Sequence, residues 1–367
     1  MKFVFVSSFL NHHQIPFCEE MIKKCDEFYF IATENGQSQG YQVSEHRDYL
    51  IDYKKDAEKA EKLIKNADVV ILGACPDDLI ELRMKENKLS FIYSERFFKK
   101  GIWRRFIPRT RKAIINKVCK HKDKNLFVLC ASAFLSYDLS FFNFPTEKCL
   151  KWGYFPECGE ITHSEIEKKK TNTILWAGRM LDWKHPEVVV KVAKKLKKDN
   201  IDFTVNIVGD GPQKNKIQNL IEKYNLQDCV NLFGSKSHEE LIQLMKEHQI
   251  FMFTSGFYEG WGAVLNEAMA NGCAVVASSA IGSVPFLIND GENGMIYRNG
   301  SIRQAYTAVR KILQSPDLAI KYGENAADSL SKDFNYKVAA ERICEFSEKY
   351  QTGILSKAEI IKNNWRF

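Results

Sequence analysis

The sequence predicts an α/β protein of two domains, each a parallel sheet with helices on both faces. Three observations carry this. At 367 residues and 45% apolar composition, the chain is too long for one typical domain and suits two of roughly 150–190 residues with real cores. In both halves short apolar runs alternate with helical segments, the βα rhythm of a parallel sheet. Between Tyr154 and Lys170 that rhythm lapses into Phe155-Pro156-Glu157-Cys158-Gly159 and a charged run ending in Lys168-Lys169-Lys170, which reads as a linker. The expected boundaries are 1–155, a linker at 156–171 and 172–334, with a tail over about 335–367.

Lys2-Phe3-Val4-Phe5-Val6 is the first expected strand. It stops at polar Asn11-His12-His13-Gln14 and lacks the basic n-region, long apolar core and small-residue cleavage site of a secretory leader. Phe28–Ile31, Val69–Leu72, Phe91–Tyr93 and Phe127–Cys130 follow as strands, separated by segments such as Asp56–Lys65 and Asp77–Glu86. The second half repeats the pattern with Ile174–Ala177, Phe203–Val208, Val230–Phe233, Ile250–Phe253 and Ala274–Ala277, and with helices at Pro186–Lys197 and Pro212–Tyr224. After Tyr297 come two helical patterns, and the tail from about Asn335 is helical and amphipathic. No run approaches the ~20 apolar residues that span a bilayer. Ten cysteines without Cys-x-x-Cys or zinc-type spacing read as reduced core residues of a cytosolic protein.

The formal charge is +7, unevenly spread. Twelve Lys/Arg against Asp123 alone give residues 96–124 a local +11, leaving −4 for the rest. Phe97, Phe98, Ile102, Trp103, Phe106 and Ile107 interleave with Arg104, Arg105 and the other cations. A basic face beside an aromatic one is what an interfacial helix presents to an anionic membrane surface. The alternatives are a solvated charged face with its aromatics packed inward, or nucleic-acid binding. No nucleic-acid motif accompanies the patch, and the expectation is no nucleic-acid partner.

Chemistry concentrates in Tyr258-Glu259-Gly260-Trp261-Gly262-Ala263-Val264-Leu265-Asn266-Glu267. Two carboxylates stand eight residues apart, one before a helix and one inside it. Read as a continuous climb of about two turns, they lie about 11–12 Å apart, comparable to the span from a hexose to a ribose across a diphosphate. Gly260 and Gly262 leave bare backbone at a helix entry, where N–H groups and the dipole suit an anion.

Glu259-x7-Glu267, with Gly260-Trp261-Gly262 and Glu267-Ala268-Met269-Ala270-Asn271-Gly272, resembles the Glu-x7-Glu signature of family 4 of the retaining glycosyltransferases, whose GT-B fold has two facing Rossmann-like domains. Other segments match in the same order: Thr173-Ile174-Leu175-Trp176-Ala177-Gly178-Arg179 with Lys184, then Val208-Gly209-Asp210-Gly211-Pro212, Phe233-Gly234-Ser235 and Asp290-Gly291-Glu292-Asn293-Gly294. The resemblance is strong over residues 172–300 and weaker before 150. It implies an N-terminal acceptor domain, a C-terminal donor domain, and a C-terminal helix crossing back to the first.

It also implies site roles. Arg179 and Lys184 hold the diphosphate, an arrangement suited to a guanidinium fork and an ammonium point charge. Glu259 binds the donor sugar, Glu267 accepts from the ribose hydroxyls, and the amides of Gly260, Trp261 and Gly262 approach sugar or phosphate. Gly209 and Asp210 bring backbone to the donor, and Ser235 and Lys236 lie at the nucleobase edge. Plain turn chemistry serves as well for these last two pairs. The implied reaction is retaining transfer of a hexose from a nucleotide diphosphate, most simply UDP, to a lipid-linked or growing glycan. No cofactor is expected, and metal ions are expected to be dispensable because Arg179, Lys184 and a helix N-terminus meet the phosphate charge and no Asp-x-Asp occurs.

The match departs in three places. Ser7-Ser8-Phe9-Leu10-Asn11-His12-His13 replaces the family's double-glycine loop, making Asn11, His12 or His13 candidate acceptor contacts, with a capping or core role as the alternative. Glu95, in Tyr93-Ser94-Glu95-Arg96, is a candidate acceptor contact or base. Gly282-Ser283-Val284-Pro285-Phe286 stands where Gly-Gly-x-Pro-Glu is common, and Lys184-His185 where Lys-Gly is. Competing readings are a non-hydrolysing sugar-nucleotide epimerase and a non-catalytic nucleotide- or membrane-binding partner. A dinucleotide oxidoreductase is disfavoured, since no Gly-x-Gly-x-x-Gly follows the first strand. The expected location is cytoplasmic, peripheral on the membrane.

Overall fold

Strands of the first half alternate with helices because each carries a short apolar run bounded by turns. A computed structural model describes residues 1–34 and 47–354; residues 355–367 of the expected tail lie outside the described residues. One sheet contains β1 (Lys2–Ser7), β2 (Glu27–Ala32), β3 (Leu50–Asp52), β4 (Val69–Leu72), β5 (Ser90–Ser94), β6 (Leu126–Cys130) and β7 (Cys149–Lys151), in the order β3-β2-β1-β4-β5-β6-β7. A second contains β8 (Lys170–Ala177), β9 (Thr204–Val208), β10 (Val230–Gly234), β11 (His248–Phe253), β12 (Ala274–Ser278) and β13 (Met295–Tyr297), in the order β10-β9-β8-β11-β12-β13. Strand neighbours pair in parallel throughout. All four residues of β4 and all six of β11 are buried, as a sheet covered on both faces requires. In each sheet the order reverses once, between β1 and β4 and between β8 and β11. Such switch points open a crevice at the carboxyl ends of the strands.

Two compact units result: Met1–Glu157 together with the residues from Asn335 on, and Cys158–Phe334. The return to the first unit has a physical basis in the helix Tyr336–Gln351. Asn335 caps it by accepting from the amides of Lys337 and Val338, both at 3.0 Å. Phe346 packs edge-on against Phe91 and Phe127, and the Tyr350 hydroxyl donates to Asn125 Oδ1 at 2.8 Å.

β3, β7 and β13 are absent from the sequence reading. Each has three residues, too few to show a period, and each exists as an edge pairing on a longer strand. Within the charged run Lys168-Lys169-Lys170 one cation is packed inside. Lys169 is buried, and its Nζ donates to the carbonyls of Met245, Lys246 and His248 at 2.5, 3.1 and 3.1 Å. It thereby satisfies the last carbonyls around the helix His238–Glu247, where a cation is favoured, although burial lowers its pKa.

The basic stretch 96–124 is corrected more substantially: it is no single amphipathic helix. Gly101 turns at φ +112, a 3-10 turn covers Ile102–Phe106, and Pro108 starts a separate helix, Pro108–Lys117. Arg96 is buried and its Nη2 donates to Asp138 Oδ1 at 3.0 Å, while Asp138 Oδ2 accepts from the amides of Phe97 and Phe98. Phe98 is core. Lys99 pairs with Glu95 and Lys120 with Glu81. What remains outside is a smaller patch: Trp103 and Phe106, 59% and 69% exposed, with Ile102 beside them. Arg105 lies 4.7 Å from the Phe106 ring centroid and 4.3 Å from that of Phe141.

Candidate functional site

The turns after β8, β9 and β10 interlock through backbone alone. Gly178 N–H donates to the Val208 carbonyl at 3.0 Å, Met180 N–H to Asp210 at 2.7 Å, and Gly209 N–H to Gly234 at 2.7 Å. Gly209 sits at φ +130, and a Cβ there would lie 1.9 Å from the Gly178 carbonyl oxygen. Only glycine permits this approach. The result is a fixed ledge from which Arg179 projects, exposed and with no side-chain partner among the described residues.

The loops after β8 and β11 are then tied across the second switch point. Thr254 Oγ1 donates to the Lys184 carbonyl at 2.7 Å while accepting from Trp176 Nε1 at 2.8 Å, and Gly256 N–H donates to the Trp183 carbonyl at 2.8 Å. On this frame Lys184 Nζ donates to Glu259 Oε2 at 2.6 Å, and Ser255 Oγ donates to the same oxygen at 2.9 Å. Both charged side chains are mostly buried, 15% and 11% exposed. Thr254 and Ser255 gave no signal in the sequence, since each acts through a partner far along the chain or a turn away. His185, standing where glycine is common, adopts φ +48 and sets Nδ1 3.3 Å from Glu187 Oε1; that left-handed conformation accounts for the glycine preference.

The helical climb from Glu259 to Glu267 is corrected. Helix begins only at Val264 and runs to Ala270, with Ala263 as its N-cap, so Gly260, Trp261 and Gly262 belong to an irregular lead-in and the helical rise does not set the distance between the carboxylates. Gly262 turns at φ +82, where a Cβ would strike Phe253 Cζ at 2.3 Å. The Trp261 side chain is fully buried, donating from Nε1 to Asn266 Oδ1 at 2.9 Å and stacking on Phe334. Only its backbone is placed to meet a ligand.

Glu267 is buried to 9% side-chain exposure, and the group facing its carboxylate is His238 Nδ1 at 4.0 Å. Burial raises the Glu267 pKa, and His238 opposes the shift. A buried carboxylate with no closer donor than this among the described residues is poised for hydroxyl donors from outside. His238, first residue of the helix capped by Ser237 and Glu240, was not among the sequence candidates.

The second-tier residues are less engaged. Asp210 is exposed; its carboxylate accepts from Lys214 Nζ and the Gly211 amide, which hold its pKa below the usual range. Ser235 and Lys236 are exposed, and Lys236 pairs with Glu240 at 2.9 Å. In the first unit Asn11 Oδ1 accepts from the His13 amide at 3.0 Å, a turn-forming role before the helix Ile15–Lys24. His13 stacks on Tyr154, ring centroids 5.9 Å apart, and the Tyr154 hydroxyl donates to Glu95 Oε1 at 2.7 Å. Tyr154 thus joins two candidates that the sequence left separate. Both Glu95 oxygens are taken, one by Tyr154 and one by Lys99, which suits a positioned contact more than a free base.

Residues 160–329 match the family model of glycosyl transferases group 1. An uncharacterized glycosyltransferase of Methanocaldococcus jannaschii is 28% identical over 188 residues, 50% of this chain and 47% of that protein. The amylovoran biosynthesis glycosyltransferase AmsK of Erwinia amylovora is 27% identical over 218 residues, 55% of this chain and 53% of that protein. The chain spans about half the length of the curated relatives it matches. Among solved structures, Alr3699/HepE of Anabaena in complex with UDP superposes with a TM-score of 0.70 at 14% identity, covering 95% of this chain and 100% of that one. By sequence over residues 160–329, and by fold over nearly its whole length, the chain is similar to the group 1 glycosyl transferases and shares the GT-B architecture.

Proposed function

We propose that the chain is a retaining glycosyltransferase that moves a hexose from a UDP-sugar to a lipid-linked or polysaccharide acceptor in surface-glycan assembly. The observation that carries this is the Lys184–Glu259 pair at the switch point between β8 and β11, with Arg179 in the turn that follows β8 and Glu267 buried in the next helix. In this reading a diphosphate displaces Glu259 from Lys184 and meets Arg179. Charge then developing on the leaving phosphate is stabilised by two fixed cations, which favours the transition state over the ground state. Glu259, released, accepts from a sugar hydroxyl, and Glu267 accepts from the ribose. Retention follows the family's front-face course, in which the leaving phosphate takes the acceptor proton; no carboxylate is assigned as nucleophile. The two cations support turnover without a divalent metal. UDP as the nucleotide is supported by the complex of Alr3699/HepE, and a glycan acceptor by the role in AmsK's name. The exposed Trp103 and Phe106 beside Arg104 and Arg105 support a peripheral site of action on the anionic cytoplasmic membrane face.

The test is thermal unfolding of wild type and Glu267→Ala against UDP, GDP, ADP, NAD and a panel of nucleotide-sugars. A ligand at 100 times its dissociation constant adds about 2.7 kcal/mol. A shift with UDP and UDP-sugars that vanishes in the variant is expected. A shift with NAD alone, or one undiminished in the variant, overturns the reading. An epimerase would instead interconvert a nucleotide-sugar with no acceptor present.

A further inference from the structure

Beside the Lys184–Glu259 pair stands a feature that the phosphate and ribose contacts leave unused. The rings of Trp183 and Tyr258 stack with centroids 6.2 Å apart and planes at 24°. Trp183 immediately precedes Lys184, and Lys184 Nζ lies 4.8 Å from its ring centroid. Tyr258 immediately precedes Glu259 and is 39% exposed; Trp183 is half-buried. Each half of the ion pair therefore carries an aromatic neighbour, and the two aromatics meet. The wall is held by backbone as well as by stacking, because the Gly256 amide donates to the Trp183 carbonyl at 2.8 Å. Both rings keep part of their surface accessible, and an aromatic pair next in sequence to a mostly buried Lys–Glu pair has a specific chemical complement.

That complement is a pyranose. Its axial C–H bonds form an apolar face of slight positive charge, which suits the negative face of an aromatic ring, while its equatorial hydroxyls donate to a carboxylate. We propose that Trp183 and Tyr258 form an aromatic wall against which the transferred sugar of the nucleotide-sugar lies, fixing which of its hydroxyls reaches Glu259. This inference rests on the donor-site reading above and deepens it. Trp183 becomes the residue that discriminates among hexoses: the stacked face sets the ring's tilt, and an axial hydroxyl on that face clashes with the wall.

The test compares UDP with UDP-glucose, UDP-galactose, UDP-N-acetylglucosamine and GDP-mannose by calorimetry on wild type, Trp183→Ala, Trp183→Phe and Tyr258→Ala. UDP has no pyranose, so its affinity is expected to stay within about twofold in Tyr258→Ala and in Trp183→Phe, which keeps a ring beside Lys184 Nζ, and to fall less than that of the nucleotide-sugar in Trp183→Ala. The best-bound nucleotide-sugar is expected to weaken roughly tenfold in Trp183→Ala, a ring contact's worth, to recover in Trp183→Phe, and to weaken less in Tyr258→Ala. The preference among hexoses is expected to flatten in Trp183→Ala. Equal losses for UDP and nucleotide-sugar would overturn the proposal in favour of a nucleotide contact. An unchanged nucleotide-sugar affinity and preference in both alanine variants would leave the wall as loop packing only. Wild type binding UDP but no nucleotide-sugar any tighter also overturns it, whereas wild type binding none of these ligands overturns the donor-site reading itself. Tyr258→Ala, at a partly exposed loop position, keeps the question open to measurement should Trp183→Ala fail to fold.

Discussion

Lys184 and Glu259 are 75 positions apart and satisfy each other at 2.6 Å. In the proposed reaction, a cation held on a carboxylate before substrate arrives is pre-positioned and exchanges partners when phosphate binds. Lys184→Ala is expected to lower transfer by roughly 10²–10³-fold, by analogy with the loss of one oxyanion donor, with the deficit read in kcat/KM. Glu267 gives a signed pH prediction. Burial raises its pKa in the folded state, so the folded chain holds its proton more tightly than the unfolded chain does. The stability this gives is complete below the unfolded pKa and is lost as pH rises through the folded one. At pH 8 the ionised carboxylate is a burden, and Glu267→Gln is expected to raise the ligand-free melting temperature there. That gain should shrink as pH falls towards about 4, the unperturbed range of glutamate, and the UDP-induced shift should disappear. A variant less stable than wild type at pH 8 would contradict this.

Among elements, the site depends on turns more than on helices. The interlocked glycines after β8 and β9 leave no room for a side chain, so Gly209→Ala is expected to destabilise by about 2–3 kcal/mol or more through strain and a backbone collision. Chemical denaturation would show it, together with loss of nucleotide binding. In the first unit, Asp138 anchors the start of the basic segment through Arg96 and two backbone amides, although burial raises its pKa despite those partners. Asp138→Ala removes the carboxylate paired with a buried guanidinium and is expected to cost about 3–5 kcal/mol, measured by the same method. A loss below 1 kcal/mol would show that Arg96 finds water instead.

For the whole molecule, the uneven charge is the property with an external consequence. Of the +11 in residues 96–124, part is neutralised by Asp138 in the core and by Glu95 and Glu81 in partly exposed pairs. Arg104 and Arg105 remain beside exposed Trp103 and Phe106. The double change Arg104→Glu, Arg105→Glu reverses two charges at this patch and is expected to weaken co-sedimentation with anionic liposomes, each lost cation being worth about 1 kcal/mol. Neutral liposomes supply the baseline; unchanged binding to the anionic ones would remove the membrane reading. Among the described residues no helix is long and apolar enough to cross a membrane.

The alternation of strand and helix, the glycine turns and the amphipathic C-terminal helix Tyr336–Gln351 were legible in the residues themselves, because each depends on local periodicity or on backbone freedom at one position. Arg179, Lys184, Glu259 and Glu267 were legible as candidates because they fall in segments that resemble a known family's motifs, at fixed offsets from such turns. Only the tertiary structure decided what depends on partners distant in the chain. It placed β3, β7 and β13 as edge strands, turned Lys169 from a linker charge into a buried cap, and joined His13 to Glu95 through Tyr154. It also divided the basic stretch between core and surface and brought Trp183 onto Tyr258. Contacts of that range are set by packing and desolvation, and a side chain's neighbours in sequence carry no record of them.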